Sequence, residues 1–306
     1  MNQYNRIRSG KKSIYADECF RGGFIGLDYG ISMDLTNNLP ENWKDFNREF
    51  IPIWLKNNPG KTKIGAGLSC ASIWTLCKGL NEGDIVVTPY GKNDYRAGKI
   101  SGPYTYSEGQ NLPHRRPVEW LTSFNRSAMS EELKRSAQSA GSCCDISIYA
   151  EEIESLMSGK SHSNLVGTEI ATEDVSAFAM ERHLEDFLVQ NWKQTELGRR
   201  YDIYSDEDGE KVGQQYPTDS GPLDILAVRK DRKELLVVEL KRGRASDVVV
   251  GQTLRYMGYV KEELAEEGQT VAGVIIALED DGKIRRALAV TPNITFYCYK
   301  ITFELV

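Results

Sequence analysis

Asp224 stands in a run of leucine, isoleucine and alanine (LDILAV), and Glu239-Leu240-Lys241 closes a second apolar run (LLVVELK). An ionised carboxylate among such neighbours is costly unless it is paired or coordinated, so both acids call for a compensating partner. Side chains alternate along a strand, which puts Glu239 and Lys241 on one face. A hairpin from Leu223 to Leu240 would bring Asp224 beside Glu239. Two carboxylates and a lysine at a strand end form a hard, oxygen-lined site that suits Mg²⁺ or Mn²⁺ better than softer metals. The chemistry open to this set is metal-assisted phosphodiester hydrolysis, with Lys241 orienting the attacking water or offsetting charge in the transition state. On spacing alone, a surface hairpin carrying an ordinary ion pair is the alternative.

Three further features point to the same place. Glu181 and Glu185 lie one turn apart on a predicted helix, Glu173 to Trp192, and either can reach the metal centre; Glu181 is the first choice, because Glu185 also reads as a solvated i,i+4 neighbour. Gln252 and Tyr256, one turn apart on the next helix, would face the sheet and contact phosphate or the attacking water. The alternative makes them a cap-side polar residue and a core aromatic. Arg242 and Arg244 adjoin the acids, and Arg229, Lys230, Arg232 and Lys233 occupy the connecting turn, a local supply of cations for a phosphate backbone. Local patches are what matter here, since 38 basic against 44 acidic residues leave a net charge of −6 and no global basic field.

The elements that must position these residues are legible in the second half. Leu223–Val228, Leu235–Leu240 and Val271–Leu278 are short, almost wholly apolar runs, as expected of buried central strands. Tyr201–Tyr204 and Lys211–Tyr216 read as a hairpin, Ala245–Glu267 as a long helix, Ile284–Val290 as a helical turn and Ile294–Leu305 as a closing strand. The sum is an α/β fold with a mixed sheet. In the first half, Trp43, Phe46, Phe50 and Trp54 share one helix face within Asn42–Asn57. Asp84–Pro89 and Arg96–Ile100 read as a hairpin, and Val118–Leu121 as a further strand, giving a small α+β module. Between them serine, alanine, glycine and lysine dominate, with a short helical pattern at Ser147–Met157. The expected organisation is a domain at 1–125, a helical and flexible linker at 126–171 and a domain at 172–306.

The segments GPLDILAV, LLVVELKRGRASDVVVGQTLRYMGYV and RRALAVTPNITFYCYKI together resemble the C-terminal nuclease domain of the NucS-type (EndoMS) mismatch endonucleases, within the PD-(D/E)xK restriction-endonuclease-like superfamily. The resemblance spans about Glu173 to Val306. It implies that Asp224 and Glu239 bind Mg²⁺ or Mn²⁺, that Lys241 is the catalytic lysine, that Glu181 is the acid of the first helix, and that the protein cleaves DNA as a dimer. The first half does not look like the NucS DNA-binding domain, so mismatch specificity is not implied. Instead Trp74 in CASIWTLCKGLNEGDIVVTPYG, Trp120 after PHRRPVEW, and the phrase GDIVV…AGKI resemble a PUA-like or EVE-like small barrel over about Gly22 to Ser123, a kind of domain that recognises modified bases. A base drawn out of a duplex needs an aromatic stacking surface, which Trp74 and Trp120 would supply while Arg115 and Arg116 hold phosphate. The other reading makes both tryptophans core residues and pairs the arginines with surface acids.

Composition narrows the classes. At 40% hydrophobic the chain can build real cores, six cysteines without a CxxC pair suit a reducing compartment, and three histidines leave little for a histidine-based centre. With no apolar run of about 18 residues and no secretory-type N-terminus, a cytoplasmic protein without a membrane partner is expected. The sequence thus predicts a homodimeric, Mg²⁺-dependent DNA endonuclease with an N-terminal recognition module, acting on modified duplex in restriction or phage defence. A NucS-like repair enzyme and an inactive nucleic-acid-binding protein are the alternatives.

Overall fold

Two sheets, one in each of two units (Met1–Val166 and Gly167–Val306), organise the chain. The computed structural model describes residues 2–139, 141–159, 184–206 and 209–300.

The first unit carries β1 (Tyr4–Ile7), α1 (Ala16–Gly22), β2 (Phe24–Leu27), α2 (Trp43–Asn57), α3 (Lys63–Trp74), β3 (Ile85–Tyr90), β4 (Asp94–Ile100), β5 (Thr105–Tyr106), β6 (His114–Asn125), α4 (Glu131–Gln138), β7 (Cys143–Asp145) and α5 (Ala150–Met157). Its strands run β2-β6-β4-β3-β1-β7, with β5 also on β6. The ladders are antiparallel except β1 on β3. Among the described residues no ladder joins β2 to β7, so the sheet is compatible with part of a barrel rather than a closed one. The expected hairpin is β3–β4, and α2 begins where Asn42 accepts the Asp45 N–H at 2.9 Å. Phe46 and Phe50 stack at 4.4 Å on its buried face.

Three features of this unit differ from the sequence reading. The strand expected at Val118–Leu121 extends over all of β6. Helix α3 was not predicted, because its small residues (KIGAGLSCASIW) are buried nearly all round and leave no amphipathic stripe to detect. Finally, the first part of the expected linker is folded: β7 pairs with β1, and Leu133, Ala137, Ile153 and Leu156 are buried.

The second unit contains helix α6, described over residues 184–190, then α7 (Glu196–Arg200), β8 (Tyr201–Ile203), β9 (Gln214–Tyr216), β10 (Leu223–Arg229), β11 (Glu234–Arg244), α8 (Asp247–Tyr259), β12 (Thr270–Glu279), α9 (Gly282–Leu288) and β13 (Ile294–Cys298). The sheet is mixed, in the order β13-β12-β11-β10-β8 with β9 also on β10. β12 lies parallel to β11 and β13, while β10 is antiparallel to its neighbours. Val189 of α6, Trp192 and Leu197 of α7 pack on one face of the sheet with Ile225, Leu236 and Val238. Helix α8 packs close to β12 at Gly273, where a Cβ would come within 2.6 Å of the Met257 sulfur.

Here too there are differences. Strands β8 and β9 do not form the expected hairpin; they pair end to end along the same edge of β10. The long helix expected to Glu267 ends with a wide π-type turn, Val260–Leu264. In α6 the apolar Phe187 is 66% exposed, whereas the acidic Glu185 is only 2% exposed. The buried stripe runs through Glu185, Val189 and Trp192, a helical spacing that hydrophobicity alone hides because a carboxylate heads it.

Candidate active site

Pairing of Ile225 with Val238 in the β10–β11 hairpin sets Asp224 opposite Glu239 at one end of the sheet. The Leu240 N–H donates to Asp224 Oδ2 at 2.7 Å, so the acid caps the ladder where regular pairing stops. Lys241 Nζ donates to Glu239 Oε1 at 2.9 Å, the same-face relation that strand alternation requires. Glu239 is 2% exposed and Asp224 is half-buried.

The helix acid reaches this cluster through a residue that sequence reasoning missed. Gln215 Nε2 lies 2.5 Å from Glu185 Oε2 and 3.2 Å from Asp224 Oδ1, joining α6 to β10. Its neighbour Gln214 donates to Asp186 at 2.9 Å. No motif pointed to Gln215; a signal existed only in the polar pair at the start of an edge strand. Glu181, the first choice for the helix acid, lies outside the described residues.

On the α8 side, Gln252 Nε2 stands 3.5 Å from the Tyr256 hydroxyl, which in turn donates to the Pro222 carbonyl at 3.0 Å. Burial, aided by the negative charge of Glu239 and Asp224 and opposed by the Gln252 hydrogen bond, raises the Tyr256 pKa, so the phenol stays neutral. Tyr256 is 5% exposed and braces the turn before β10. Gln252, half-buried, keeps an amide beside the site.

Arg242 and Arg244 are exposed just beyond Lys241, where the β11–β12 register shifts. The turn Arg229–Lys233 is elsewhere. It joins the opposite ends of β10 and β11, about 16 Å from Asp224 by strand rise, and Arg229 is held by Asp231 at 2.8 Å and Glu234 at 3.4 Å. That patch cannot serve phosphate at the acids.

In the first unit the residues expected to read a base each make contacts within the protein. Trp74 meets Phe46 at 5.3 Å and Trp43 at 6.2 Å, with Lys78 over its ring at 5.1 Å. Trp120 donates to the Cys19 carbonyl at 3.2 Å and meets Phe20 edge-on at 4.8 Å. Arg115 donates to the Leu112 carbonyl at 2.7 Å and lies 4.0 Å over the Phe24 ring, with Glu18 at 3.6 Å. Arg116 is 5% exposed, on the inward face of β6. Trp74, Trp120 and Arg115 are half-buried and only Arg116 is fully enclosed, so each of the first three keeps part of its side chain at the surface.

Among the described residues no three acidic, histidine or cysteine side chains are grouped as a metal-ion cage; Gln215 lies between Glu185 and Asp224, and Lys241 lies on Glu239. The donor set still fits a hard divalent cation: Glu185, Asp224 and Glu239 present only carboxylate oxygens, two of them from deeply buried side chains. Nor is any helix among the described residues long and apolar enough to cross a membrane.

Residues 5–146 match the family described as Domain of unknown function (DUF8426), and residues 180–296 match the endonuclease NucS C-terminal domain. No curated protein matches the chain. Among solved structures it is similar to a repair endonuclease from Pyrococcus abyssi, at 15% identity and a TM-score of 0.31 over 70% of this chain and 65% of that one. An EndoMS complex with double-stranded DNA gives 16% identity and 0.32 over 72% and 66%. EndoMS in apo form gives 13% and 0.30 over 72% and 65%. The chain therefore spans about 65% of the length of the solved structures it matches. Its second unit carries, over residues 180–296, a domain that resembles the endonuclease NucS C-terminal domain.

Proposed function

We propose that the chain is a divalent-metal-dependent endonuclease that hydrolyses phosphodiester bonds in DNA. The observation that carries this reading is the meeting of Glu185, Asp224, Glu239 and Lys241 at one end of the second sheet. The match of residues 180–296 to the NucS domain supports it. Mg²⁺, or Mn²⁺ in its place, would be held by Asp224 and Glu239 and would polarise the phosphate and lower the pKa of water.

The chain's own residues do the rest. The Leu240 N–H fixes the Asp224 carboxylate against rotation. Lys241, anchored on Glu239, keeps an ammonium where negative charge grows as water adds to phosphorus and an ester oxygen departs. Gln252 offers an amide to phosphate or water from α8, and Arg242 and Arg244 offer cations to the backbone beside the acids. Cutting both strands takes two such sites, so the active form is read as a homodimer; sedimentation showing only monomer, with and without DNA, would oppose this.

The first unit is read as the recognition module, with a PUA-like barrel as its nearest architectural analogy. Its target decides the biological role. The test is a Mg²⁺/Mn²⁺ cleavage panel on plain, mismatched and modified duplexes, run beside Lys241→Ala. Preference for modified duplex assigns restriction or phage defence, and preference for mismatched duplex assigns repair. Wild-type protein that cuts none of the three, or a Lys241→Ala variant that cuts as wild type, would refute the nuclease reading.

A further inference from the structure

A carboxylate on the buried stripe of a helix persists only if donors reach it. For Glu185, 2% exposed, one donor is Gln215, whose side-chain amide also lies within hydrogen-bond distance of Asp224. An amide nitrogen carries two hydrogens in a fixed fork, so one side chain can serve both acids at once. The backbone is shaped for this. Gln215 has φ +51°, a left-handed conformation that residues other than glycine seldom adopt. In a regular strand Gln214 and Gln215 would point to opposite faces. With Gln215 turned in this way, the two consecutive glutamines hold the two consecutive acids Glu185 and Asp186.

We propose that Gln215 is a positioning residue that holds Glu185 against Asp224, so that the acid of α6 and the acids of the hairpin act as one metal-binding set. The proposal rests on the metal-dependent nuclease reading. It assigns the helix-borne ligand to Glu185 and its orientation to a residue on an edge strand. Like charges brought close together repel; the bridging amide offsets that repulsion before any cation arrives.

The test is direct Mn²⁺ binding to the full chain, by electron paramagnetic resonance of free Mn²⁺, for wild type, Q215G and Q215N. Q215G removes the amide while suiting the left-handed backbone. Q215N also tolerates that backbone and keeps an amide, on a side chain one methylene too short to span both acids. Both variants should raise the Mn²⁺ dissociation constant about 10- to 100-fold. At saturating Mn²⁺ the cleavage rate should return to within about threefold of wild type, a split that separates positioning from chemistry. If Q215G fails to fold, Q215N carries the test. Unchanged or tighter Mn²⁺ binding in the folded variants overturns the proposal and leaves the metal site standing, whereas a wild-type chain that binds no Mn²⁺ overturns both.

Discussion

In the first unit Arg6, wholly buried, donates to the backbone carbonyls of Gly141 and Ser139, and His114, equally buried, lies between the Ile31 carbonyl and the Tyr104 hydroxyl. In the second unit Glu185 and Glu239 are just as inaccessible, yet they converge on Asp224 with Gln215 and Lys241 between them. The difference teaches that burial of an ionisable group is not by itself a sign of chemistry. The first unit disperses its buried polar side chains, and Arg6 and His114 each reach backbone carbonyls of loops beside the sheet. The second gathers groups of like charge at a strand end, an arrangement that contributes nothing to packing and needs a counter-charge.

That contrast is broken most sharply at the acids. Asp224→Ala or Glu239→Ala should lower cleavage at least about a thousandfold while leaving the thermal midpoint near that of wild type, because each removes a ligand rather than core volume. Lys241→Ala should cost about 10²- to 10³-fold in rate with DNA affinity almost unchanged, since its charge matters as the transition state forms. Binding measured in Ca²⁺ beside single-turnover cleavage checks both. A variant that unfolds instead would make the second unit's acids structural, like the polar groups of the first.

The first unit should respond in the other currency. Trp74→Ala should destabilise it by about 3 kcal/mol through the cavity left beside Phe46. Trp120→Phe should cost about 1 kcal/mol through the lost hydrogen bond to Cys19. Neither should change discrimination between plain and modified duplex. Denaturant midpoints alongside equilibrium binding decide; selective loss of modified-duplex binding in a stable variant would restore these tryptophans as base readers.

The second unit was the more legible because its chemistry and its topology coincide. Asp224, Glu239 and Lys241 interrupt runs that are otherwise pure strand, and strand alternation alone puts them together. Glu185 was visible only as a weaker choice, because it also reads as a solvated i,i+4 neighbour of Glu181. Gln215 was hidden, since its role depends on one left-handed residue in a short edge strand. The first unit was harder to read. Tryptophans and arginines near a hairpin suggested a reading surface, but β6 is longer than its apolar pattern indicates and carries Arg116 and His114 inward. Helix α3 was missed for want of any polar face.

The smallest expected effect sharpens the same comparison through pH. Burial holds the His114 imidazole below its ordinary pKa of 6.5, with the Ile31 carbonyl partly opposing the shift. The folded histidine thus stays neutral where the unfolded one takes up a proton. Its contribution to stability is present above about pH 6.5 and is lost as pH falls through the lowered folded value. Wild type should lose more stability than H114Q between about pH 7.5 and pH 5.5, measured by urea unfolding; equal losses would show that His114 is not held neutral by its surroundings.

The most direct test of the central claim is metal add-back. Full-length protein stripped with EDTA is incubated with duplex DNA, without metal and then with Mg²⁺ or Mn²⁺ restored, beside Asp224→Ala. Cleavage that is absent in EDTA, returns with metal in wild type and does not return in the variant is the predicted result. Full cleavage in EDTA, or equal recovery by Asp224→Ala, would contradict the assignment of the second unit's acids to a metal-dependent active site.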